Sequence, residues 1–155
     1  MYAHTSLVSG YRLQVTSMPK QRVLILCTGN SARSQMAEGL LRHAAGDRFD
    51  IESAGTSPGQ VRAEAIEVMK EIGVDISRHR SKHVDEFAGQ HFDVVLTVCD
   101  KANESCPVFP GSGLRLHRSF EDPAALEGDE RQRLALFRRV RDEIAHYLRT
   151  FPRGG

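Results

Sequence analysis

Val23-Leu24-Ile25-Leu26-Cys27-Thr28-Gly29-Asn30-Ser31-Ala32-Arg33-Ser34 decides how the rest of this chain is read. Its four leading residues are an unbroken apolar run, the mark of a strand buried on both faces. A helical pattern takes over at Ser34 and runs through Gly46. Strand and helix are joined by Cys-x5-Arg, a loop whose successive N–H groups can converge on one anion. Gly29 and Asn30 suit the unusual backbone angles of such a cradle. Thr28, Gly29, Asn30, Ser31, Ala32, Arg33 and Ser34 are therefore the candidate oxyanion-binding residues. Arg33 adds a planar fork matched to two oxygens of a tetrahedral oxyanion. Cys27 lies at the floor, where the helix N-terminus, the amides and Arg33 are expected to lower a thiol from about 8.5 toward about 4–7. Ser34 is placed to donate a hydrogen bond to the sulfur. The chemistry is that of a thiolate aimed at the central atom of a bound oxyanion.

Upstream, residues 1–20 show little periodicity and are expected to be a flexible N-terminal extension, with Met18 as an alternative start. Leu7, Val8, Leu13 and Val15 offer at most a short edge strand there. Residues 21–153 read as a single domain. Downstream, Met36, Ala37, Leu40, Leu41 and Ala44 recur at helical spacing, with Gly46 as the stop. Phe49 to Ala54 is a second strand, ended by Gly55-Thr56-Ser57-Pro58-Gly59. Ala65, Ile66, Met69 and Ile72 mark a second helix closed by Gly73. Val74 to Gln90 is a polar crossing with a helical turn near Val84 to Phe87, and His79 and His83 are placed on a solvated face.

Phe92 to Val98 is another buried strand, and it runs straight into Cys99. Asp100 to Ser105 reads as polar and flexible, and Cys106-Pro107 ends it. Leu114 to His117 is a fourth strand, followed by Phe120-Glu121-Asp122-Pro123. The last helix runs from about Asp129 to Thr150, with Leu134, Phe137, Val140, Ile144 and Leu148 on one face and Arg138, Arg139 and Arg141 on the other. Strands alternating with helices predict an α/β fold, a three-layer arrangement around a four-stranded parallel sheet. Ligands bind at the carboxyl ends of such strands. That rule gathers Cys27–Arg33, Cys99–Cys106 and Glu121-Asp122-Pro123 on one rim.

The chain has 155 residues, 26% of them charged, and a net charge of +1, which gives no sign of a nucleic-acid or membrane partner. No apolar run approaches a membrane span. Three cysteines are an odd count for a disulfide scaffold and fit reactive thiols in a reducing cytoplasm. A zinc site from Cys99, Cys106 and His117 is disfavoured by the Cys-x6-Cys spacing, so no metal and no other cofactor is expected. Asp122 before Pro123 suits either a general acid or the start of a turn.

Three motifs in order carry a resemblance. Cys27-Thr-Gly-Asn-Ser-Ala-Arg-Ser34 with Gln-Met-Ala-Glu-Gly-Leu-Leu41, Cys99-Asp-Lys-Ala-Asn-Glu-Ser-Cys106-Pro-Val-Phe-Pro110, and Phe120-Glu-Asp-Pro-Ala124 together resemble the arsenate reductases built on the low-molecular-weight protein tyrosine phosphatase fold. Similarity extends from about Arg22 to Phe151. The resemblance implies that Cys27, Arg33, Cys99, Cys106 and Asp122 are catalytic. Arsenate, with phosphate or sulfate as mimics, would dock in the cradle, and Cys27 would attack it with Asp122 as acid. Cys99 would then take Cys27 into a disulfide, Cys106 would take over Cys99, and thioredoxin would reduce the last bond. Glutaredoxin with glutathione, or mycothiol, stays open as donor, and a monomer is expected.

Many relatives carry a second cysteine before the loop arginine; this chain has Ala32 there, leaving Cys99 and Cys106 as resolvers. Some relatives hold a monovalent cation on the loop asparagine, here Asn30, and on a carboxylate whose position here reads Lys82. The resemblance then implies no potassium, with the Lys82 ammonium near Asn30 and Glu38, against the plain alternative of a surface lysine. Two other functions compete: hydrolysis of phosphate monoesters, and redox or oxyanion sensing without turnover. Ala124-Ala125 stand where tyrosine-directed relatives carry aromatic residues, which weighs against the first.

Overall fold

The computed structural model describes residues 5–8, 11–14, 19–111 and 113–151. Two short strands, β1 (Thr5–Val8) and β2 (Tyr11–Gln14), pair antiparallel in a ladder of their own. The edge strand considered near Leu7 and Leu13 is thus a two-stranded pair; Val15 and Met18 lie outside the described residues.

The main sheet holds β3 (Gln21–Cys27), β4 (Phe49–Gly55), β5 (Val94–Thr97) and β6 (Leu114–His117) in the order β4-β3-β5-β6. All three pairings are parallel. The central strand is the apolar run of the sequence: Val23 to Leu26 are fully buried, because a parallel strand between two neighbours is covered on both faces. The expected four-stranded parallel α/β sheet flanked by helices is what the chain forms.

The helices are α1 (Arg33–Ala45), α2 (Ala63–Glu71), α3 (Asp100–Ser105) and α4 (Glu130–Leu148). Each longer helix has an identifiable end. Asp129 and Gln132 form a reciprocal capping box at the start of α4, satisfying two orphan amides. Gly73, at φ +81°, closes α2: its N–H reaches the Lys70 carbonyl and that of Val74 reaches Met69, a Schellman arrangement. Gly46 does stop α1, but in a right-handed conformation.

Helices α1, α2 and α4 pack on one another, and α3 packs on β3 and β5. Phe137, Val140, Ile144 and Leu148 of α4 are buried as the pattern required. Arg141 is a correction to the sequence reading. It is buried rather than on the outer side, and its guanidinium donates to the Val68 carbonyl and to Glu71, fastening α4 to the end of α2. A long side chain can bury its stem and still satisfy its head, which periodicity does not reveal. No helix among the described residues is long and apolar enough to cross a membrane.

Candidate active site

Cys27 is the last residue of β3 and only 2% exposed. The loop that follows is shaped by where its carbonyls go. Those of Cys27, Thr28, Gly29 and Ser31 accept from the amides of Thr56, Ser57, Gly59 and Arg62. The Asn30 carbonyl accepts from Gln35 Nε2. With every carbonyl from Cys27 to Ser31 turned outward, the amides turn inward. Asn30 N–H lies 3.1 Å from Cys27 Sγ, and those of Gly29, Ser31 and Ala32 meet no protein acceptor among the described residues. Free donors converging in this way have the geometry that can cradle an anion. Gly55 ends β4 directly beneath it, and a Cβ there would collide with the Thr28 carbonyl oxygen.

The left-handed turn falls on Asn30, at φ +46°, and not on Gly29 as well. An asparagine tolerates this region when its side chain is fixed, and here it is fixed completely. Asn30 Nδ2 donates to Ser34 Oγ at 2.7 Å and Ser53 Oγ at 3.0 Å. Its Oδ1 accepts from Gln35 Nε2 at 3.0 Å and the Lys82 amide at 2.9 Å. Both donors and both acceptor positions are used. Ser34 Oγ, which accepts from Asn30, lies 2.8 Å from Cys27 Sγ, where its hydroxyl can donate to the sulfur once that is charged.

The thiol is pulled in two directions. Burial pushes Cys27 up, while the Ser34 hydroxyl and amide, the Arg33 charge and the Asn30 amide pull it down, and burial is the larger effect. This differs from the depressed thiol expected from sequence. The motif displays the donors, whereas the desolvation appears only once the sheet and α1 close over the sulfur.

Arg33, the first residue of α1, donates to the Phe120 carbonyl at 3.1 Å and faces the Asp122 carboxylate at 3.7 Å. Asp122 takes up the turn that its sequence context allowed and also turns toward Arg33. One oxygen accepts from the Ala124 amide and starts the turn Pro123–Ala125, while the other faces Arg33. Arg62 ties this segment to the loop from the opposite side through the Ala124 carbonyl, at 3.2 Å. A cavity of about 620 Å³ opens there between Gly29, Ser31, Ser57, Gly59, Arg62 and Ala124, and none of its lining residues is aromatic.

Cys99 is buried at the end of β5, its Sγ 3.3 Å from Thr28 Oγ1. Cys106 is half-buried, its thiol donating to the Pro107 carbonyl and pushed up by burial against the pull of Arg115. All three cysteines are free. The stretch between Cys99 and Cys106 is helical, not irregular: Cys99 caps α3, its sulfur accepting the Ala102 amide at 3.4 Å. A six-residue helix burying only Ala102 has no apolar period to read.

Beneath the loop lies a buried polar cluster that the motif reading foresaw only in part. Ser53 Oγ donates to Glu38 at 2.6 Å, and Lys82 Nζ lies 4.0 Å from Glu38 and 3.8 Å from Glu52. Lys82 is only 8% exposed, so it is not a surface lysine. His79, expected on a solvated face, turns inward to Gln35 Oε1 at 3.0 Å with Glu38 at 3.6 Å, and burial lowers its pKa. His83 stays near the surface and accepts from the Asp85 amide. Of this cluster the sequence reading had brought Lys82 toward Asn30 and Glu38, whereas Ser53, Glu52 and the inward turn of His79 were not foreseen.

Fold and site together define a cysteine–arginine oxyanion-loop protein of the α/β class. The sequence profile of the low molecular weight phosphotyrosine protein phosphatases matches residues 22–153. An arsenate reductase of Halalkalibacterium halodurans is 45% identical over 138 residues, spanning 89% of this chain and 99% of its own. A solved arsenate reductase in a phosphate-binding state superposes with a TM-score of 0.68 at 29% identity, over 84% of this chain and 95% of that one. A thioredoxin-dependent arsenate reductase of Corynebacterium glutamicum gives a TM-score of 0.61 at 28% identity, over 87% of this chain and 63% of that one. The chain belongs to the low molecular weight phosphotyrosine protein phosphatase family, on its arsenate-reductase-like branch.

Proposed function

We propose that this protein reduces arsenate to arsenite through Cys27, Cys99 and Cys106, and that thioredoxin returns the oxidised pair to the dithiol. The observation that carries the reading is the second thiol, Cys99, seated against the oxyanion loop at Thr28 with Cys106 one short helix away. Hydrolysis needs one thiol and water; reduction of As(V) takes two electrons, which two thiols supply together as they join in a disulfide.

Arsenate sits on the inward amides and the Arg33 fork. Cys27 attacks arsenic as the thiolate, an As–O bond breaks, and Asp122 protonates the departing oxygen, which leaves as water. Cys99 then attacks Cys27 Sγ. The S–As bond breaks with its electron pair on arsenic, so arsenite departs as As(III) and a Cys27–Cys99 disulfide remains. Cys106 attacks Cys99, Cys27 leaves as thiolate, and the dithiol of thioredoxin reduces the Cys99–Cys106 bond. Thr28 to Ser34 bind the oxyanion, and no metal or cofactor takes part. Arsenate is the substrate named for the relatives, and the Corynebacterium relative is named as thioredoxin-dependent.

A second reading, hydrolysis of phosphate monoesters, uses the same cradle, thiolate and acid. The cavity beside Ala124 has no aromatic wall to hold a tyrosine ring, which favours the small oxyanion. NADPH consumption with arsenate, thioredoxin and thioredoxin reductase, beside hydrolysis of an aryl phosphate, tests the two. Arsenate-dependent NADPH loss is expected; fast phosphate hydrolysis without it would reverse the ranking.

A further inference from the structure

Helix α3 separates the two resolving cysteines, and as a helix it keeps them apart. Residues seven apart along an α-helix are displaced by about 10 Å at about 1.5 Å per residue. A disulfide needs Cα atoms roughly 4.4–6.8 Å apart. Joining Cys99 to Cys106 therefore requires α3 to unwind.

Little apolar burial holds α3 in place, since Ala102 is its only buried residue. Its N-terminal cap is Cys99 itself, whose sulfur accepts the Ala102 amide at 3.4 Å. Once that sulfur bonds to another, it ceases to serve as the cap in this geometry. What then ties the helix to the sheet is a chain of polar contacts centred on His117. His117 Nε2 lies 2.8 Å from Asp100 Oδ1 in the first turn of α3. Its Nδ1 lies 2.7 Å from Thr97 Oγ1, buried in β5. Thr97 Oγ1 in turn reaches Asn103 Oδ1 of α3 at 3.3 Å. The first turn of α3 is thus pinned to Thr97 of the sheet through the His117 imidazole, and the second turn is pinned to the same hydroxyl directly through Asn103.

We infer that His117 is a positioning residue: with Asp100 and Thr97 it clasps α3 in the dithiol form and must release it before Cys99 and Cys106 join. The inference rests on the three-cysteine reading above. A clasp made only in the dithiol form stabilises that form, so it makes the Cys99–Cys106 disulfide easier to reduce. It thereby favours the last step, in which an external dithiol restores the enzyme.

The test uses the full chain carrying Cys27→Ser, which leaves Cys99 and Cys106 as its only cysteines. Redox titration against oxidised and reduced dithiothreitol moves two electrons and two protons between that pair and the reagent, and alkylation with mass spectrometry reads the extent. His117→Ala and Asp100→Ala, each added to this background, should shift the equilibrium about three- to tenfold toward the disulfide, tenfold being about 30 mV. The Asp100 side chain is 77% exposed, so its removal leaves the sheet untouched. The double variant should shift less than the sum of the two, because both remove one contact. Unchanged midpoints, or a shift with His117→Ala and none with Asp100→Ala, would overturn the clasp. A parent pair that never oxidises would overturn the three-cysteine reading itself, and the clasp with it.

Discussion

The loop from Cys27 to Arg33 and helix α3 stand at the ends of neighbouring strands, and each is bordered by free cysteine, yet they are built in opposite ways. The loop is over-determined. Its carbonyls are spent on residues 56–62, Asn30 is bonded at all four side-chain positions, and Ser34, Gln35, Glu38 and Ser53 beneath it are buried. Helix α3 is held by one sulfur cap and a few polar side chains. Attack on a bound oxyanion rewards a fixed geometry, because the donors must already be aimed when charge develops. Handing a disulfide outward needs the opposite, a segment whose opening costs little.

The largest effects expected from breaking this contrast come at the sulfurs. Cys27→Ser should abolish both arsenate reduction and aryl phosphate hydrolysis, since Cys27 Sγ is the thiol that the Asn30 amide meets at the floor of the loop. Cys106→Ser should permit about one turnover and stall as Cys27–Cys99, visible by mass spectrometry after arsenate treatment. Sustained thioredoxin-coupled turnover by Cys106→Ser would remove α3 from the mechanism. Next in size is Asp122→Asn, expected to slow the arsenate step by roughly 10²–10⁴-fold while leaving alkylation of Cys27 nearly unchanged. Reduction at the parent rate would return Asp122 to its turn-starting role.

Rigidity itself can be measured. Asn30→Ala leaves several buried partners unpaired at about 1–3 kcal/mol each, so a loss of at least about 3 kcal/mol in urea unfolding is expected. Lys101→Ala on α3 should stay within about 0.5 kcal/mol. Equal losses would erase the distinction between the two regions. A smaller change concerns pH. The Ser34 hydroxyl, 2.8 Å from Cys27 Sγ, favours the charged sulfur; Ser34→Ala should move the midpoint of Cys27 alkylation to higher pH. An unmoved midpoint would mean that the Ser34 proton is spent elsewhere.

The smallest expected effect is a null response. With Lys82 buried beside Glu38, replacing potassium by a bulky organic cation at constant ionic strength should leave turnover unchanged. Lys82→Asp should be slower and partly restored by added potassium. Strong activation of the parent protein by potassium would break this reading.

What the sequence by itself determined is local or periodic. The buried run Val23–Leu26, the Cys-x5-Arg loop, the α4 face and the closing Gly73 are written in side-chain type and spacing, so the parallel sheet and the rim that gathers Cys27, Cys99 and Asp122 were legible. Other features depend on residues far apart in the chain. The inward turn of His79, the burial of Arg141 against Val68 and the His117–Asp100 contact each join separate elements. The thiol is the clearest case. Its motif announces the donors, but the burial that opposes them comes from packing of the whole sheet, and desolvation is a property of an environment, not of a spacing. Tertiary structure decided those points because charge and polarity are settled by what surrounds a group.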